Sequence, residues 1–514
     1  MTQATMEEWK PKASLLMITT AVMLATFVEV LNSSIANVAL KTIAGSFSIS
    51  DDESLWIITL FLIASSILLP TTDWCCAKFG RKRFFLFCIT LFGVSSLVCG
   101  LAPSFGVLLF GRICQGLGGG CLLPLSQAIL LESYPKERQG EAMAIFSTGV
   151  TIAPIIGPLL GGWLTTNYSW NHVFFVSIPF CIASFIMIFK FIEDPPYIQS
   201  AKAKKFDISG FILLIIWIST FQVMVDNGQK NGWFDSPYIC KLGAVSLISF
   251  IALIWWELVN KNPLFDLKIF KNWNFTFGTI LITMVFCIAF GSIAMLPQFL
   301  QIMMGYTSFL SGIAAAPMGI GCISGTALSV LISRLDMRMQ SLVGIVIFAI
   351  GCYMFSVLNL NIGMQNVILP NIIIGVGMSS TIIPTTTIIY SYVSKKEMTN
   401  ASALQNLVKN VGCAIGTSSV GVLVSRYSQI HQFNLVGNLS ENNVIFLERV
   451  NAMTGAFIQN GFDFVTAQKM AMGNLYHMLV QQSTISAYMS AYKAYALAII
   501  IVLPSTFILK KVKS

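Results

Sequence analysis

The sequence predicts an all-α integral membrane protein with about fourteen transmembrane helices. Of its 514 residues, 55% are hydrophobic and only 10% are charged, whereas a soluble domain carries about 25% charged residues. The mean hydropathy is +0.76. The apolar residues form runs of about 18 residues or more, the length that a helix needs to cross the hydrocarbon core of a bilayer. These three observations exclude a soluble globular protein.

The apolar runs are bounded by charged residues, proline or asparagine, which divide the chain into fourteen spans, numbered 1 to 14 from the N-terminus. Span 1 is expected to stay in the membrane, because its run is too long for a signal-peptide core and no small-residue cleavage site follows it. The predicted ranges are 15–39, 54–74, 83–102, 105–130, 140–165, 172–192, 207–226, 238–258, 274–303, 309–333, 338–358, 365–390, 400–424 and 488–509.

Lysine and arginine are distributed unequally between the two sets of loops. The loops on the side of the N-terminus carry 22 of the 31 Lys and Arg residues, the opposite loops carry 7, and Arg112 and Lys409 lie within spans. Basic residues accumulate in the cytoplasmic loops of membrane proteins. Both termini are therefore expected in the cytoplasm. The scatter of basic residues in short clusters argues against nucleic-acid binding.

One long loop stands out on the side opposite the termini. Segment 425–487 contains a helical-looking stretch at 441–482 and no cysteine. It is predicted either to contact a periplasmic partner or to form an amphipathic cap over the spans.

Redox, metal and nucleotide chemistry are not expected. The 12 cysteines lie mostly inside apolar runs and contain no C-x-x-C pair, so neither a disulfide framework nor a metal site is predicted. No phosphate-binding G-x-x-x-x-G-K-[ST] loop occurs, which disfavours ATP-driven transport. With only three histidines, near predicted span ends or in loops, no nucleophile–base pair can be assembled from them. The chain is not expected to be an enzyme.

Ionisable side chains at membrane depth are costly and usually functional. Glu29 is the only acid near a span centre, about 21 Å from the inner end of span 1. Asn32 shares its helix face at i+3 spacing, and Arg112 of span 4 lies at nearly the same depth. If spans 1 and 4 pack together, the opposite charges face each other. Glu29 and Arg112 are predicted to form a proton-coupling site, and the alternative is a purely structural ion pair.

Two dense glycine and proline motifs lie inside spans. Span 4 contains GRICQGLGGG at 111–120, and span 5 contains APIIGPLLGG at 153–162. Such motifs mark close helix packing or a helix break beside a cavity. The first motif is superficially similar to a dinucleotide-binding loop. Because no strand precedes it and it lies in a run of membrane-spanning length, a dinucleotide site is not predicted.

At these residues the chain resembles the major facilitator superfamily, and within it the fourteen-span drug:proton antiporters of the EmrB type. The family motif R-x-x-Q-G-x-G is matched in span 4, and the antiporter motif G-P-x-x-G-G is matched in span 5. The residues concerned are Arg112, Gln115, Gly116 and Gly118 in span 4, and Gly157, Pro158, Gly161 and Gly162, with Pro154 beside them, in span 5.

The loop between spans 2 and 3 resembles the gating motif of the superfamily with two departures. The sequence K-x-G-R-K-R from Lys78 to Arg83 includes Gly80 and Arg81. Asp73 stands where the family has its opening glycine, and Ala77 stands where it has an acid. Gating through that acid is therefore in question.

The main departure from the family lies in span 1. The family pattern has an aspartate where this chain has Asn32, and asparagine cannot carry a proton. We predict that Glu29, one turn earlier on the same face, carries it instead. The alternative is weakened or lost proton coupling. Asp226, at the outer end of span 7, also matches a family residue, with a structural role as the alternative.

The resemblance implies two six-helix bundles that rock about a midplane site. The N-terminal bundle would be 14–192 and the C-terminal bundle 274–510, which includes 425–487. The inserted pair of spans 7 and 8, at 207–258, would lie between cytoplasmic linkers at 193–206 and 259–273. The predicted substrate cavity would be lined by Asn32, Gln115, Gln298, Gln301 and Tyr306.

The resemblance further implies proton-coupled multidrug efflux of hydrophobic or amphipathic toxic compounds across the bacterial inner membrane, with the proton gradient as energy source and no cofactor. The chain would be the pump of a tripartite system with an EmrA-type periplasmic adaptor and a TolC-like outer-membrane channel. The alternative is an exporter or facilitator of one physiological solute, such as a fatty acid or siderophore, with weak or no proton coupling.

Overall fold

The computed structural model describes residues 13–135, 138–195, 205–358, 363–394, 397–437, 439–440 and 443–511. Within these ranges the chain is helical and contains no strand. Most of the predicted linker 193–206 lies outside the described residues, as do several of the lysines counted for membrane orientation, such as Lys10 and Lys202.

The first six spans follow the predicted order, and some are built from consecutive shorter helices. Their bounds are Leu15–Phe47 for span 1; Trp56–Leu68, Leu69–Thr71 and Thr72–Phe79 for span 2; Arg81–Gly100 for span 3; Phe105–Gly120 and Leu122–Ser133 for span 4; Gln139–Asn167 for span 5; and Asn171–Phe175 and Ser177–Phe191 for span 6. A short helix, Asp51–Ser54, lies between spans 1 and 2.

The remaining eight spans also lie where the apolar runs predict them. Their bounds are Ile208–Asn227 for span 7, Pro237–Val259 for span 8, Trp273–Met303 for span 9, Ser308–Ala315 and Pro317–Leu331 for span 10, Met337–Ser356 for span 11, Met364–Tyr390 for span 12, Met398–Val436 for span 13 and Phe464–Val502 for span 14. Short 3-10 helices occur at Trp233–Asp235, Leu267–Lys271 and Leu503–Ile508, and helix Val444–Gln459 connects spans 13 and 14.

Thirteen described helices are long and apolar enough to cross a membrane, and span 5 adds a helix of 29 residues. The prediction of an all-α membrane protein with about fourteen spans is confirmed. Several spans begin at a polar residue whose side chain accepts a hydrogen bond from a backbone N–H of the first turn. Examples are Ser104 before span 4, Asp207 before span 7 and Thr307 before span 10.

Aromatic side chains fill much of the core between helices. In the second half of the chain, Phe355 of span 11 stacks on Tyr492 of span 14 with ring centroids 4.8 Å apart, and both side chains are fully buried. Spans 7 and 8 pack on each other through Trp217 and Phe250, whose ring centroids are 4.7 Å apart.

The inserted pair contacts both halves of the chain through hydrogen bonds. Thr59 of span 2 donates to a carboxylate oxygen of Asp226 at 2.6 Å. Ser418 of span 13 donates to the carbonyl oxygen of Val225 at 2.7 Å. The inserted pair therefore lies beside spans 2 and 13, and Asp226 provides one of these contacts.

Spans 13 and 14 are much longer than a bilayer requires. Each helix has 39 residues, or about 58 Å at 1.5 Å per residue, against a hydrocarbon core of about 30 Å. Most of segment 425–487 is therefore a continuation of these two helices past the membrane, here called the extension. Helix Val444–Gln459 packs on it through a small core of Phe446, Val450 and Leu475.

Candidate functional site

Arg112 is a fully buried cation held by neutral acceptors. Its Nε donates to the carbonyl oxygen of Ile57 at 2.8 Å, and its Nη1 donates to Asn32 Oδ1 at 2.8 Å and to Gln115 Oε1 at 2.6 Å. The guanidinium also lies 4.3 Å from the ring centroid of Phe61. Among the described residues, no carboxylate lies within ion-pair distance of Arg112, and its Nη2 has no hydrogen-bond partner.

The two amides that bind Arg112 extend the network to other spans. Asn32 donates to the hydroxyl of Ser177 in span 6 at 2.9 Å, and Gln115 donates to that of Ser96 in span 3 at 2.7 Å. Both amides are fully buried. A side-chain amide can accept a hydrogen bond from arginine and donate one to a hydroxyl at the same time. Asn32 and Gln115 were predicted to line the substrate cavity, but in this structure they bind Arg112 and are not accessible.

Glu29 is not paired with Arg112, which corrects the predicted ion pair. The physical reason is that Asn32, one helical turn from Glu29, already accepts a hydrogen bond from Arg112. Glu29 is half-buried and accepts no hydrogen bond from any residue in the described part of the chain. Its side chain packs on Gly119 of span 4, where an added Cβ would lie 3.1 Å from Glu29 Cγ and would crowd it. The electrostatic partner of Glu29 is Lys409 of span 13.

Lys409 is the site residue that sequence reasoning missed. It is half-buried, its Nζ donates to Asn406 Oδ1 at 2.5 Å, and it lies 5.2 Å from the ring centroid of Phe286. Glu29 and Lys409 come from opposite halves of the chain and interact electrostatically. The available signal was its position inside a predicted span, since a lysine at membrane depth is costly.

A polar cluster joins the two halves on the side of the N-terminus. Gln127 Oε1 of span 4 accepts hydrogen bonds from Ser402 Oγ and Asn406 Nδ2 of span 13, both at 2.8 Å. All three side chains are buried. Because Asn406 also accepts from Lys409, the lysine is connected to this cluster.

The loop that resembles the gating motif contributes a second contact between the halves. Arg81 binds both carboxylate oxygens of Glu132 in span 4, at 2.5 and 3.0 Å, and donates to the hydroxyl of Thr399 in span 13 at 3.0 Å. Gly80 before it has φ +85°, a conformation that favours glycine. Asp73 is exposed. The acid that binds Arg81 thus comes from span 4.

The proline motif of span 5 brings that helix close to span 1. Pro158 has no N–H to donate to the carbonyl oxygen of Pro154, and Ser34 Oγ of span 1 donates to that oxygen at 2.8 Å. An added Cβ at Gly157 would lie 2.7 Å from Ser34 Cβ, and one at Gly161 would lie 2.9 Å from a side-chain carbon of span 1. Both glycines are needed for this close approach.

The glycines of span 4 serve the same purpose toward spans 2 and 3. A Cβ at Gly116 or Gly120 would lie within 2.5 Å of a carbonyl oxygen of span 2, and one at Gly118 would lie 2.7 Å from a backbone nitrogen of span 3. In span 5, the carbonyl oxygen of Gly162 accepts a hydrogen bond from Thr166 at 2.7 Å.

The other predicted cavity residues lie at the C-terminal end of span 9 and just beyond it. Gln298 is exposed, whereas Gln301 and Tyr306 are half-buried. Gln301 donates to the hydroxyl of Ser311 in span 10 at 2.9 Å. The structure does not bring these three residues into contact with Glu29, and their role as substrate contacts stays a prediction.

Comparisons with known proteins agree with the motifs. The family described as the Major Facilitator Superfamily matches residues 22–417. The multidrug export protein EmrB of Haemophilus influenzae is 35% identical over 84% of this chain and 85% of its own length, and EmrB of Escherichia coli K12 is 34% identical over 85% and 86%. The fatty acid resistance protein FarB of Neisseria gonorrhoeae is 31% identical over 97% of this chain and 96% of its own length.

A solved structure shows the same fold at low sequence identity. The major facilitator proton:xylose symporter XylE is 11% identical, and the alignment covers 97% of this chain and 96% of that chain with a TM-score of 0.60.

Proposed function

The chain belongs to the major facilitator superfamily, and on this premise we propose that it exports hydrophobic and amphipathic toxic compounds by alternating access, in exchange for protons that bind at Glu29. It is a multi-pass membrane protein whose relatives include multidrug export proteins.

The observation that supports this function is the setting of Glu29. The carboxylate is half-buried, has no hydrogen-bond partner among the described residues, and interacts electrostatically with Lys409 of the opposite half of the chain. A carboxyl group in this setting binds a proton or attracts a cationic substrate, and each lowers the affinity for the other. Such reciprocal coupling between two ligands is what antiport requires.

Alternating access would require the contacts on the N-terminal side to break. Arg81 with Thr399, and Gln127 with Ser402 and Asn406, hold the two bundles together there. We place this side in the cytoplasm on the basis of the Lys and Arg distribution. The structure then corresponds to a state closed toward the cytoplasm, and rocking of the bundles would separate these side chains.

The same orientation places the extension in the periplasm of a bacterial inner-membrane protein. Large apolar side chains are exposed on the extension and on the helix packed against it, including Phe433 at 80% and Phe464 at 62% on the extension and Ile445 at 68% on helix Val444–Gln459. Exposed large apolar side chains outside a membrane can form an interaction site when they lie together. We propose that an EmrA-type adaptor binds there and connects the pump to a TolC-like outer-membrane channel. The proton gradient would supply the energy for transport, and no cofactor would be needed.

A second candidate function is export of one physiological solute, such as a fatty acid or siderophore, with weak or no proton coupling. Two observations favour it. The relative FarB is named for fatty acid resistance and covers nearly the whole chain. Asn32, which cannot carry a proton, stands where the resembling family has an aspartate.

Reconstitution into proteoliposomes with a pH-sensitive dye in the lumen tests both candidates. Addition of a lipophilic cation should move protons in the wild type and in Glu53→Gln, a control at an exposed glutamate, and should move none in Glu29→Gln. Normal proton counterflow in Glu29→Gln would show that the carboxylate assignment is wrong. Substrate movement without any proton movement in the wild type would favour the second candidate.

A further inference from the structure

We propose that Lys409 sets the charge selectivity of the transport site, attracting the anionic group of an amphipathic ligand and weakening the binding of the lipophilic cations that Glu29 attracts. This inference rests on the proposed export function and extends it, because it assigns a specificity-determining role to a residue on the C-terminal bundle.

Lys409 has unused hydrogen-bonding capacity. An ammonium group has three donors, and Asn406 Oδ1 is its acceptor among the described residues. No carboxylate of the described chain lies within ion-pair distance of Nζ. Because the side chain is also half-buried and thus partly accessible, two donors remain for an oxygen of a ligand.

The surroundings of Lys409 suit an amphipathic ligand. The ammonium lies 5.2 Å from the ring centroid of Phe286, which is itself half-buried and lies 5.9 Å from the ring centroid of Phe290. A charged group beside an aromatic wall is the usual composition of a small-molecule site, where apolar contacts bind the body and one polar group orients the head.

Glu29 on the opposite bundle gives the site a second charge of opposite sign. A cationic ligand is attracted by Glu29 and repelled by Lys409, and an anionic ligand experiences the reverse. Arg112 is already bound by Ile57, Asn32 and Gln115 in the interior of the N-terminal bundle. Lys409 is therefore the cation that opposes Glu29 in determining which charge the site accepts.

A structural role for Lys409 has to be separated from this electrostatic one, because Asn406 links it to Gln127. Lys409→Gln keeps a hydrogen-bond donor for Asn406 and removes the charge. Lys409→Arg keeps the charge. Lys241→Gln, at an exposed lysine near the start of span 8, is the matched control.

Two probes of equal shape and opposite charge, tetraphenylphosphonium and tetraphenylborate, test the proposal by equilibrium dialysis with the purified full chain. Lys409→Gln should bind the cation more tightly and the anion more weakly, shifting the ratio of the two dissociation constants by about tenfold or more. Lys409→Arg and Lys241→Gln should leave the ratio within about threefold, and Glu29→Gln should shift it in the opposite direction.

An unchanged ratio in Lys409→Gln, with the wild type binding either probe, would overturn the inference and leave the export function standing. A shift in Lys409→Gln that Lys241→Gln reproduces would overturn it as well, because the effect would then be one of overall charge. Binding of neither probe by the wild type would contradict both the inference and the proposed export of amphipathic ions.

Discussion

At the scale of single residues, the molecule stabilises a buried guanidinium without a carboxylate. Arg112 is surrounded by a carbonyl oxygen, two side-chain amides and an aromatic ring. Burying a charge is costly unless hydrogen bonds replace the lost water. Each acceptor comes from a different part of the N-terminal bundle, so the hydrogen bonds of Arg112 also fix how spans 1, 2 and 4 sit against one another.

Replacing Asn32 by aspartate should therefore be tolerated. A carboxylate at this position would lie about 2.8 Å from Arg112 Nη1, as the amide oxygen does, and the hydroxyl of Ser177 can rotate to donate to it. We expect Asn32→Asp to unfold at the wild-type temperature or above it in a thermal melt in detergent. Asn32→Leu, which removes the acceptor, should lose about 2 kcal/mol. A melt of Asn32→Asp that matches that of Asn32→Leu would contradict this account.

At the scale of elements, glycines set the distance between helices. Along span 4, Gly116 and Gly120 face span 2, Gly118 faces span 3, and Gly119 faces Glu29 of span 1. In span 5, Gly157 and Gly161 face span 1. Small residues allow backbones to approach closely, which drives helix association in lipid, where no hydrophobic force acts between helices.

Gly120→Ala should destabilise the N-terminal bundle, because its methyl group would overlap a backbone carbonyl of span 2 that cannot move without the helix. We expect a loss of about 2 kcal/mol or more. Gly106→Ala in the same helix is the matched control, since nothing lies within 4 Å of the added Cβ. It should be neutral or stabilising by up to about 1 kcal/mol. Thermal unfolding measures the difference in stability between the two variants. Equal unfolding temperatures for Gly120→Ala and Gly106→Ala would refute the packing argument.

At the scale of the whole molecule, the sequence predicts the spans well and the contacts between bundles poorly. The spans follow from local hydropathy, and the motifs locate the close packing of spans 4 and 5. The contacts of Lys409 and the pairing of Arg81 with Glu132 were not predicted. Gln127 and Ser402 are 275 positions apart, and nothing in either local sequence indicates that they meet. The predicted ion pair between Glu29 and Arg112 was wrong because two cations and one acid can be paired in more than one way, and a role of Arg112 in proton coupling stays a prediction.

Loss of the contacts around Gln127 should shift the molecule toward states open on the N-terminal side. Gln127→Leu removes the acceptor of Ser402 and Asn406 in the closed arrangement, which should cost about 2 kcal/mol and change the closed-to-open ratio about thirtyfold. Amide hydrogen exchange over residues 398–407 should accelerate. Gln432→Leu, at a half-buried glutamine of the extension that donates to Tyr476, should leave this exchange unchanged. Unaltered exchange in Gln127→Leu would show that these hydrogen bonds do not hold the closed state.

Span 13 carries Thr399, Ser402, Asn406 and Lys409 along its first three turns and then runs without interruption into the extension. A continuous helix of this kind behaves as a lever that pivots near its first turn and ends in the extension. Because the helix is about 58 Å long, a tilt of about 10° would move its far end by about 10 Å. A protein bound to that end would be displaced mechanically in each transport cycle, and a bound protein that resisted displacement would slow the cycle from a distance.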